Sequence, residues 1–355
     1  MKKYQQLAEQ LREQIASGIW QPGDRLPSLR DQVALSGMSF MTVSHAYQLL
    51  ESQGYIIARP QSGYYVAPQA IKMPKAPVIP VTRDEAVDIN TYIFDMLQAS
   101  RDPSVVPFAS AFPDPRLFPL QQLNRSLAQV SKTATAMSVI ENLPPGNAEL
   151  RQAIARRYAL QGITISPDEI VITAGALEAL NLSLQAVTEP GDWVIVENPC
   201  FYGALQALER LRLKALSVAT DVKEGIDLKA LELALQEYPV KACWLMTNSQ
   251  NPLGFTLTPQ KKARLVALLN QYNVTLIEDD VYSELYFGRE KPLPAKAWDH
   301  HDGVLHCSSF SKCLVPGFRI GWVAAGKHAR KIQRLQLMST LSTSSPMQLA
   351  LVDYL

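Results

Sequence analysis

Lys312 lies in the segment Ser308–Trp322, SSFSKCLVPGFRIGW, between hydroxyl-bearing residues and a Pro316-Gly317 corner that is followed by Arg319. A lysine at the end of a strand, surrounded by hydroxyl groups, can lose its proton through desolvation and become a nucleophilic amine that condenses with aldehydes. The guanidinium of Arg319 suits a phosphate dianion, which it can bind through two parallel hydrogen bonds. An aldehyde and a phosphate on one ligand indicate pyridoxal 5′-phosphate (PLP) as the cofactor.

Polar side chains follow two other predicted strands and could complete such a site. An acidic residue in the segment EDDVY, at Glu278–Asp280, could pair with the pyridinium nitrogen of PLP, which makes the ring an electron sink. Tyr282 could donate a hydrogen bond to the phenolate oxygen of the ring, and Asn251 in the segment NPLG could bind the same oxygen. These residue types therefore match the polar groups of the PLP ring.

Two further segments supply contacts of other kinds. ITAGALEAL, at Ile172–Leu180, reads as a strand, a turn of small residues and a helix, and the free N–H groups at the start of a helix suit a phosphate. VENPCFYG ends another strand and places Phe201 where its ring could stack on the cofactor. All these features fall at the carboxyl ends of predicted strands, where open α/β sheets bind their ligands.

The framework that must position these residues is predicted from about Pro107 onward. Short apolar runs alternate with helical patterns such as LEALNLSLQAV and PQKKARLVALLNQYN. Seven runs are predicted as strands: Ile170–Thr173, Trp193–Glu197, Lys214–Val218, Ala242–Thr247, Thr275–Glu278, Val304–Ser308 and Ile320–Ala324. Strands that alternate with helices predict an α/β domain at 107–355 with a mainly parallel, seven-stranded sheet.

A different pattern occupies residues 1–67. Leu7, Leu11 and Ile15 recur at four-residue spacing, which predicts an amphipathic first helix, and Ser28 and Ser39 are typical N-caps for two more helices. The predicted order is three helices at about 4–17, 29–35 and 40–53, then two strands at 55–58 and 64–66. This order predicts a winged helix-turn-helix.

The segment 68–106 separates the two patterns. PQAIKMPKAPVIP holds four prolines without periodicity and predicts a Pro-rich linker, and EAVDINTYIFDMLQAS could add a connecting helix. The sequence therefore predicts three parts: a DNA-binding head at 1–67, a linker at 68–106 and a larger domain at 107–355.

Composition excludes several classes of protein. Lys and Arg number 34 against 33 Asp and Glu, so the net charge is +1 and DNA binding has to depend on a few well-placed residues. The four cysteines form no C-x-x-C pair, which predicts neither a disulfide framework nor a metal site and fits a reducing cytoplasm. No apolar run approaches the roughly 20 residues that span a membrane, and the polar start of the chain is not a secretory signal.

The C-terminal motifs together resemble fold-type I PLP enzymes of the aminotransferase class I family, from about Phe108 onward. The most specific motif, S-x-S-K-x-x-x-P-G-x-R-x-G-W, occurs here at Ser309–Trp322. The resemblance implies that Lys312 is the catalytic residue and forms a Schiff base with PLP, while Asp279 pairs with the pyridine nitrogen. The implied cofactor-binding residues are Gly175, Ala176, Leu177, Phe201, Asn251, Asp279, Tyr282, Ser309, Lys312 and Arg319.

The N-terminal motifs GDRLPSLRDQVALSGMS, TVSHAYQLLESQGY and SGYYV resemble the winged helix of GntR-type bacterial regulators, which implies a double-stranded DNA operator as partner. The implied DNA contacts are Arg25, Arg30, Ser39, Thr42, Ser44, His45, Arg59, Gln61, Ser62 and Gly63. Phe40 and Ser44 stand where this family often has arginines. Phe40 could contact a thymine methyl group or be buried, so the bases that are read stay open. A three-helix module that docks a protein is the alternative.

A GntR-type head on an aminotransferase-like body is the organisation of MocR-type transcriptional regulators, which the whole chain resembles. The resemblance implies a cytoplasmic homodimer that senses a small amine or amino-acid effector through the Lys312 aldimine. The alternatives are an active aminotransferase that carries a DNA-binding head and a regulator whose body is a relic dimerisation module. By comparison with the family, the C-terminal small domain is expected to lie outside the sequence.

Overall fold

A computed structural model describes residues 3–60, 62–68, 93–94, 97–98, 111, 113–133, 135 and 143–355. The chain divides into two compact units, Met1–Lys75 and Ala76–Leu355. The predicted linker and its connecting helix fall almost entirely outside the described residues, so the predicted domain boundaries stay predictions. Within the described ranges, no helix combines the length and the apolar character needed to cross a membrane.

The first unit is the predicted winged helix-turn-helix. Its elements are α1 (Lys3–Ala16), α2 (Leu29–Ser36), α3 (Phe40–Ser52), β1 (Ile56–Arg59) and β2 (Gly63–Val66). The periodic residues Leu7, Leu11 and Ile15 are buried, and they form one cluster with Tyr47 and Leu50 of α3, which are fully buried. β1 and β2 pair in an antiparallel hairpin. The burial of one stripe of each helix stabilises this small unit.

Local capping fixes where α2 and α3 begin. The side chain of Ser28 accepts a hydrogen bond from the Asp31 N–H, and the side chain of Ser39 accepts one from the Thr42 N–H. Gly37 ends α2 with a left-handed φ of 65°, which glycine adopts without strain. These contacts confirm the helix starts that the sequence predicts.

The second unit is built on a twisted sheet whose strands are β3 (Ile170–Thr173), β4 (Trp193–Asn198), β5 (Lys214–Asp221), β6 (Gly225–Ile226), β7 (Val240–Leu245), β8 (Thr275–Asp279), β9 (Val304–Ser309) and β10 (Gly321–Ala324). Their order is β3-β10-β9-β8-β7-β4-β5-β6. The pairs from β5 through β4, β7 and β8 to β9 are parallel, and β10 is antiparallel to both of its neighbours. The α/β class and the mainly parallel sheet are therefore confirmed.

The predicted number of strands was wrong by one. In the described part of the chain the sheet has eight strands, because Gly225–Ile226 adds a short antiparallel strand beside β5. Two residues are too few to leave an alternating pattern in a sequence, and glycine is unfavourable in strands. The other seven strands lie where the sequence predicts them.

The helices described in this unit are α4 (Leu120–Thr133), α5 (Ala148–Ala159), α6 (Ala176–Val187), α7 (Tyr202–Arg210), α8 (Leu228–Glu237), α9 (Pro259–Gln271), α10 (Ala329–Ser339) and α11 (Ser345–Tyr354). Val194 and Val196 pack with α6, α7 and α10 in one apolar cluster, whereas Ile195 packs with α8 and α9 in another. Successive strand residues point to opposite faces, so both faces of the sheet are covered. The carboxyl ends of five parallel strands meet at one edge.

Candidate functional site

Lys312 lies in the turn after β9, at this edge of the sheet. Its Nζ donates a hydrogen bond to the Ala111 carbonyl oxygen at 3.0 Å and lies 5.5 Å from the centroid of the Tyr282 ring. Burial lowers the pKa of Lys312 to about 8; the charge of Asp279 opposes this shift and that of Arg319 adds to it. A lysine with this pKa is partly neutral near physiological pH and can act as a nucleophile.

A cavity of about 230 Å³ opens beside Lys312. Its lining includes nine of the ten predicted cofactor residues: Ala176, Leu177, Phe201, Asn251, Asp279, Tyr282, Ser309, Lys312 and Arg319. The tenth, Gly175, immediately precedes α6 as its N-cap. The fold therefore brings together residues from the ends of β3, β4, β7, β8 and β9, although their roles toward a cofactor stay predictions.

Asp279 is the last residue of β8 and lines the cavity while only 2% exposed. Among the described residues, its Oδ1 has no hydrogen-bond partner. Burial raises the pKa of Asp279 to about 7, and the charge of Asp280 adds to the rise, whereas the adjacent Trp244 side chain and the Val281 N–H oppose it. A buried carboxyl oxygen without a partner is costly, so this atom fits a cationic ring nitrogen that would pair with it.

The cofactor-free protein should lose stability as the pH rises from about 4 to about 7. Asp279 has a pKa of about 7 in the folded chain against an ordinary value of 3.8, so unfolding releases a proton between these values and a rising pH favours it. The full shift corresponds to roughly 4 kcal/mol at most. Urea denaturation of the wild type and Asp279→Asn at about pH 5 and about pH 8 measures it. Equal losses in both proteins would contradict this assignment.

Tyr282 and Asn251 line the same cavity and approach each other there. Asn251 Nδ2 donates to the Tyr282 hydroxyl at 3.5 Å, which is a long and weak hydrogen bond. Burial raises the pKa of Tyr282 to about 12, and Asp279 adds to the rise. The hydroxyl therefore stays protonated, and both side chains can donate to one oxygen placed between them.

The turn between β3 and α6 forms a cradle for an anion. Arg319 Nη2 donates to the Ala174 carbonyl oxygen at 3.1 Å, and a Cβ on Gly175 would lie 2.6 Å from the same nitrogen. A Cβ on Gly321 would lie only 2.5 Å from the Gly175 carbonyl carbon. Gly175 thus lets the guanidinium lie against the start of α6, and Gly321 lets β10 approach the same turn. The first N–H groups of α6 have no intrahelical partner. Arginine and helix start together fit a phosphate dianion.

Phe201 and Ser309 complete the predicted set. Phe201 directly precedes α7, and its ring centroid lies 4.7 Å from that of Tyr202. Ser309 is the last residue of β9 and its hydroxyl accepts a hydrogen bond from the Ser311 N–H at 3.3 Å. PLP fits the groups that this site offers: the Phe201 ring, the anion site at Arg319, the Asp279 carboxyl oxygen without a partner and the nucleophilic Lys312. No cluster of three or more His, Cys, Asp or Glu that could hold a metal is found in the described parts of the chain.

Sequence reasoning missed a chain of buried polar side chains that includes Asp280. Trp322 Nε1 donates to the Tyr158 hydroxyl at 3.0 Å, this hydroxyl bonds to His306 Nδ1 at 2.5 Å, and His306 Nε2 bonds to Asp280 Oδ2 at 2.9 Å. These residues come from α5, β9 and β10 and the end of β8. No local pattern links them, because they are distant in sequence and share no spacing.

In the first unit, the predicted wing contacts lie around Tyr65. The Arg59 guanidinium lies 4.4 Å from the centroid of the Tyr65 ring, and the Ser62 hydroxyl is 2.6 Å from the Tyr65 hydroxyl. Arg25 forms a β-bridge with Tyr65, and its side chain lies against Gly63. These contacts hold both arginines beside the hairpin. Gln61 falls outside the described residues.

The predicted contacts on α2 and α3 divide into free and engaged side chains. Arg30 is exposed, whereas the Ser39 and Thr42 hydroxyls lie 2.9 Å apart and are partly used to start α3. Ser44 is half-buried, and His45 meets the Tyr4 ring edge-on at 5.9 Å. Of the two readings of Phe40, burial is excluded, because the residue is 51% exposed. Its ring is therefore available to an apolar group on a partner.

Two family descriptions match the chain. Residues 3–66 match bacterial regulatory proteins of the gntR family, and residues 111–355 match aminotransferase class I and II. Both halves of the predicted resemblance are confirmed by these matches.

Individual relatives agree with this division. The HTH-type transcriptional regulator YdcR of Escherichia coli strain K12 is 99% identical over 355 residues, which are 100% of this chain and 76% of the relative. The HTH-type transcriptional regulator YjiR of the same organism is 38% identical over 95% of this chain and 72% of its own length. The structure of Pyrococcus horikoshii kynurenine aminotransferase, in complex with PMP, is 28% identical with a TM-score of 0.67, over 77% of this chain and 68% of that chain. The match to the aminotransferase family confirms the predicted cofactor, PLP, as the cofactor of this fold family.

Proposed function

The chain belongs to the class I and II aminotransferase family and carries a gntR-family domain ahead of it, and from this premise we propose that it is a PLP-dependent, MocR-type regulator of transcription. It binds a double-stranded DNA operator in the cytoplasm as a homodimer and responds to a small amine or amino acid. One observation carries the proposal. In a chain with a winged helix-turn-helix, Lys312 lines one cavity with Asp279, whose Oδ1 has no hydrogen-bond partner among the described residues.

The residues of the cavity have separate tasks in holding the cofactor. When bound, PLP supplies an aldehyde carbon and an electron-withdrawing ring. Arg319 and the N–H groups at the start of α6 bind its phosphate, and the Asp279 carboxylate pairs with the ring nitrogen. Phe201 covers the ring, while Tyr282 and Asn251 donate hydrogen bonds to its oxygen.

Lys312 is the part of the site that can report on a ligand. Its Nζ donates a hydrogen bond to the Ala111 carbonyl oxygen at 3.0 Å, and both residues line the cavity. Ala111 lies at the amino-terminal side of the matched aminotransferase region, toward the linker in sequence. A ligand that engages the amine competes with this hydrogen bond, so it favours one of two arrangements of Lys312, with the bond to Ala111 made or broken. Such a population shift requires the ligand to bind the two arrangements with different affinity.

Operator binding with and without PLP tests the proposal. The probe is a DNA duplex selected from a random-sequence pool on the wild-type protein, and the readout is the dissociation constant at fixed salt. We expect PLP with a responsive amine to change the affinity of the wild type and to leave Lys312→Ala unchanged. Lys331→Ala, an exposed lysine on α10, is the matched control and should behave as the wild type. An equal response of both lysine variants rules out sensing through Lys312.

An active aminotransferase with a DNA-binding head is the second candidate. The observation that favours it is that Lys312, Asp279 and Tyr282 line one cavity, as transamination needs. Sustained turnover with an amino donor and a keto acid would support this function, whereas a single spectral change without turnover supports the regulator. If the aminotransferase-like part served only for dimerisation, borohydride treatment would fix no cofactor to the protein.

A further inference from the structure

Glu197 and Gln250 form a buried pair between the ends of β4 and β7, outside the residues assigned to the cofactor. Glu197 is 3% exposed and Gln250 is 1% exposed. Gln250 Nε2 donates to Glu197 Oε2 at 3.1 Å and to the Pro199 carbonyl oxygen at 3.0 Å. Gln250 Oε1 accepts from the Leu253 N–H at 2.8 Å. Both polar atoms of the buried amide are therefore satisfied, as a buried polar group requires.

The same pair is anchored to the body of the sheet. Glu197 Oε2 also accepts a hydrogen bond from the Met246 N–H, just beyond β7, at 3.3 Å. The Gln250 N–H donates to the Phe255 carbonyl oxygen at 2.9 Å, which closes the turn that carries Asn251. One amide thus connects the turn after β4 with the turn after β7.

These two turns carry side chains that line the cavity. Phe201 follows Pro199 by two residues, and Asn251 is the next residue after Gln250. Both Phe201 and Asn251 line the cavity beside Lys312. A shift in the distance between the turns would move an aromatic wall and a hydrogen-bond donor relative to each other, and a displacement of about 1 Å is enough to weaken an aligned site substantially.

We propose that Glu197 and Gln250 are positioning residues that fix the separation of these two turns, so that Phe201 and Asn251 reach the same ring together. The inference rests on the proposed binding of PLP. It assigns a task to two buried polar residues that do not line the cavity beside Lys312.

The protonation state of Glu197 guides the choice of variants. Burial raises the pKa of Glu197 to about 8, although the hydrogen bonds from Gln250 and Met246 oppose the rise. The side chain is therefore mainly an uncharged acid near neutral pH, and a glutamine can take over its role as acceptor. Glu197→Gln should accordingly preserve the hydrogen bond between the two side chains. Glu197→Met and Gln250→Met keep the side-chain volume but remove this hydrogen bond.

Three measurements test the pair: the dissociation constant of PLP from quenching of tryptophan fluorescence, the absorption maximum of the bound cofactor, and amide hydrogen exchange of residues 199–202 and 250–254. We expect Glu197→Met and Gln250→Met each to weaken PLP binding roughly tenfold, which is the scale of one buried hydrogen bond. The double variant should be about as weak as either single variant, because the two residues act as a unit. Both single variants should shift the absorption maximum and speed exchange in both turns.

The controls separate positioning from general destabilisation. Thr188→Val removes a buried hydroxyl at the far end of α6 and should leave all three measured quantities unchanged. Glu197→Gln should also give wild-type values, unlike Glu197→Met. If Glu197→Met does not fold, Gln250→Met carries the test. If Gln250→Met folds and keeps the PLP affinity and the absorption maximum of the wild type, the inference is overturned. If the wild-type protein binds no PLP, the proposed function is wrong. Hydrogen exchange alone then tests the positioning role: unchanged exchange of both turns in the two methionine variants would refute it.

Discussion

Replacing Lys312 by alanine should reduce the cofactor that borohydride fixes to the protein from about one per chain to background. The reason is that this lysine lines the cavity and that burial lowers its pKa to about 8, which leaves a usable fraction of neutral amine. Intact mass spectrometry after incubation with PLP and reduction measures the fixed fraction. The anion cradle at Arg319 is untouched, so reversible binding should persist without covalent attachment.

The pH dependence of the same reaction identifies the nucleophile. Only the neutral amine attacks an aldehyde, so the initial rate of attachment should rise with pH and level off above about 8, the pKa of Lys312. Lys331→Ala is the matched control, since it removes an exposed lysine and should keep wild-type labelling. Labelling of Lys312→Ala at the wild-type level, on any other lysine, would show that Lys312 is not the reacting residue.

Replacing Gly321 by alanine should destabilise the second unit and weaken PLP binding together. The added Cβ would lie 2.5 Å from the Gly175 carbonyl carbon and 2.7 Å from the Ala176 nitrogen. Both are backbone atoms, so the clash can be relieved only if β10 moves away from the turn that starts α6. Overpacking of this kind costs about 1–3 kcal/mol or more, and it also opens the anion cradle. Thermal unfolding and titration with PLP measure the two effects.

Gly317→Ala provides the matched control for this prediction. Gly317 lies in the same motif, but a Cβ there would meet no atom within 4 Å. The control should therefore keep the melting temperature and the PLP affinity of the wild type. If Gly321→Ala bound PLP as tightly as Gly317→Ala, the close approach of β10 to the α6 turn would have no role in the cradle.

Much of the fold could be predicted because its signals are local. The N-caps Ser28 and Ser39 mark helix starts through bonds to residues three positions away, and the stripe of Leu7, Leu11 and Ile15 marks a buried helix face. Strands covered on both faces tend to read as apolar runs, and seven of the eight described strands were predicted from short apolar runs between helical patterns. The two-residue β6 was missed because pairing beside β5, not its own composition, makes it a strand.

The candidate site was predictable only as a set of residues. The motif around Lys312 and the strand-end positions of Asp279, Asn251 and Tyr282 identify the members, and the parallel sheet explains why they converge. Their environments could not be predicted from sequence. The raised pKa of Asp279 and its unpaired oxygen depend on which side chains surround it in three dimensions.

The sequence by itself predicted the winged helix-turn-helix and the α/β fold, seven of the eight described strands, the starts of α2 and α3, and Lys312 as the candidate reactive lysine, because each depends on residues close together in the chain. Only the tertiary structure decided that Gln250 joins Glu197 and Pro199, that His306 connects Asp280 with Tyr158, and that Gly321 touches the turn at Gly175. These contacts join residues from separate strands and helices. Their geometry follows from the packing of the whole sheet, which no local pattern in the chain records.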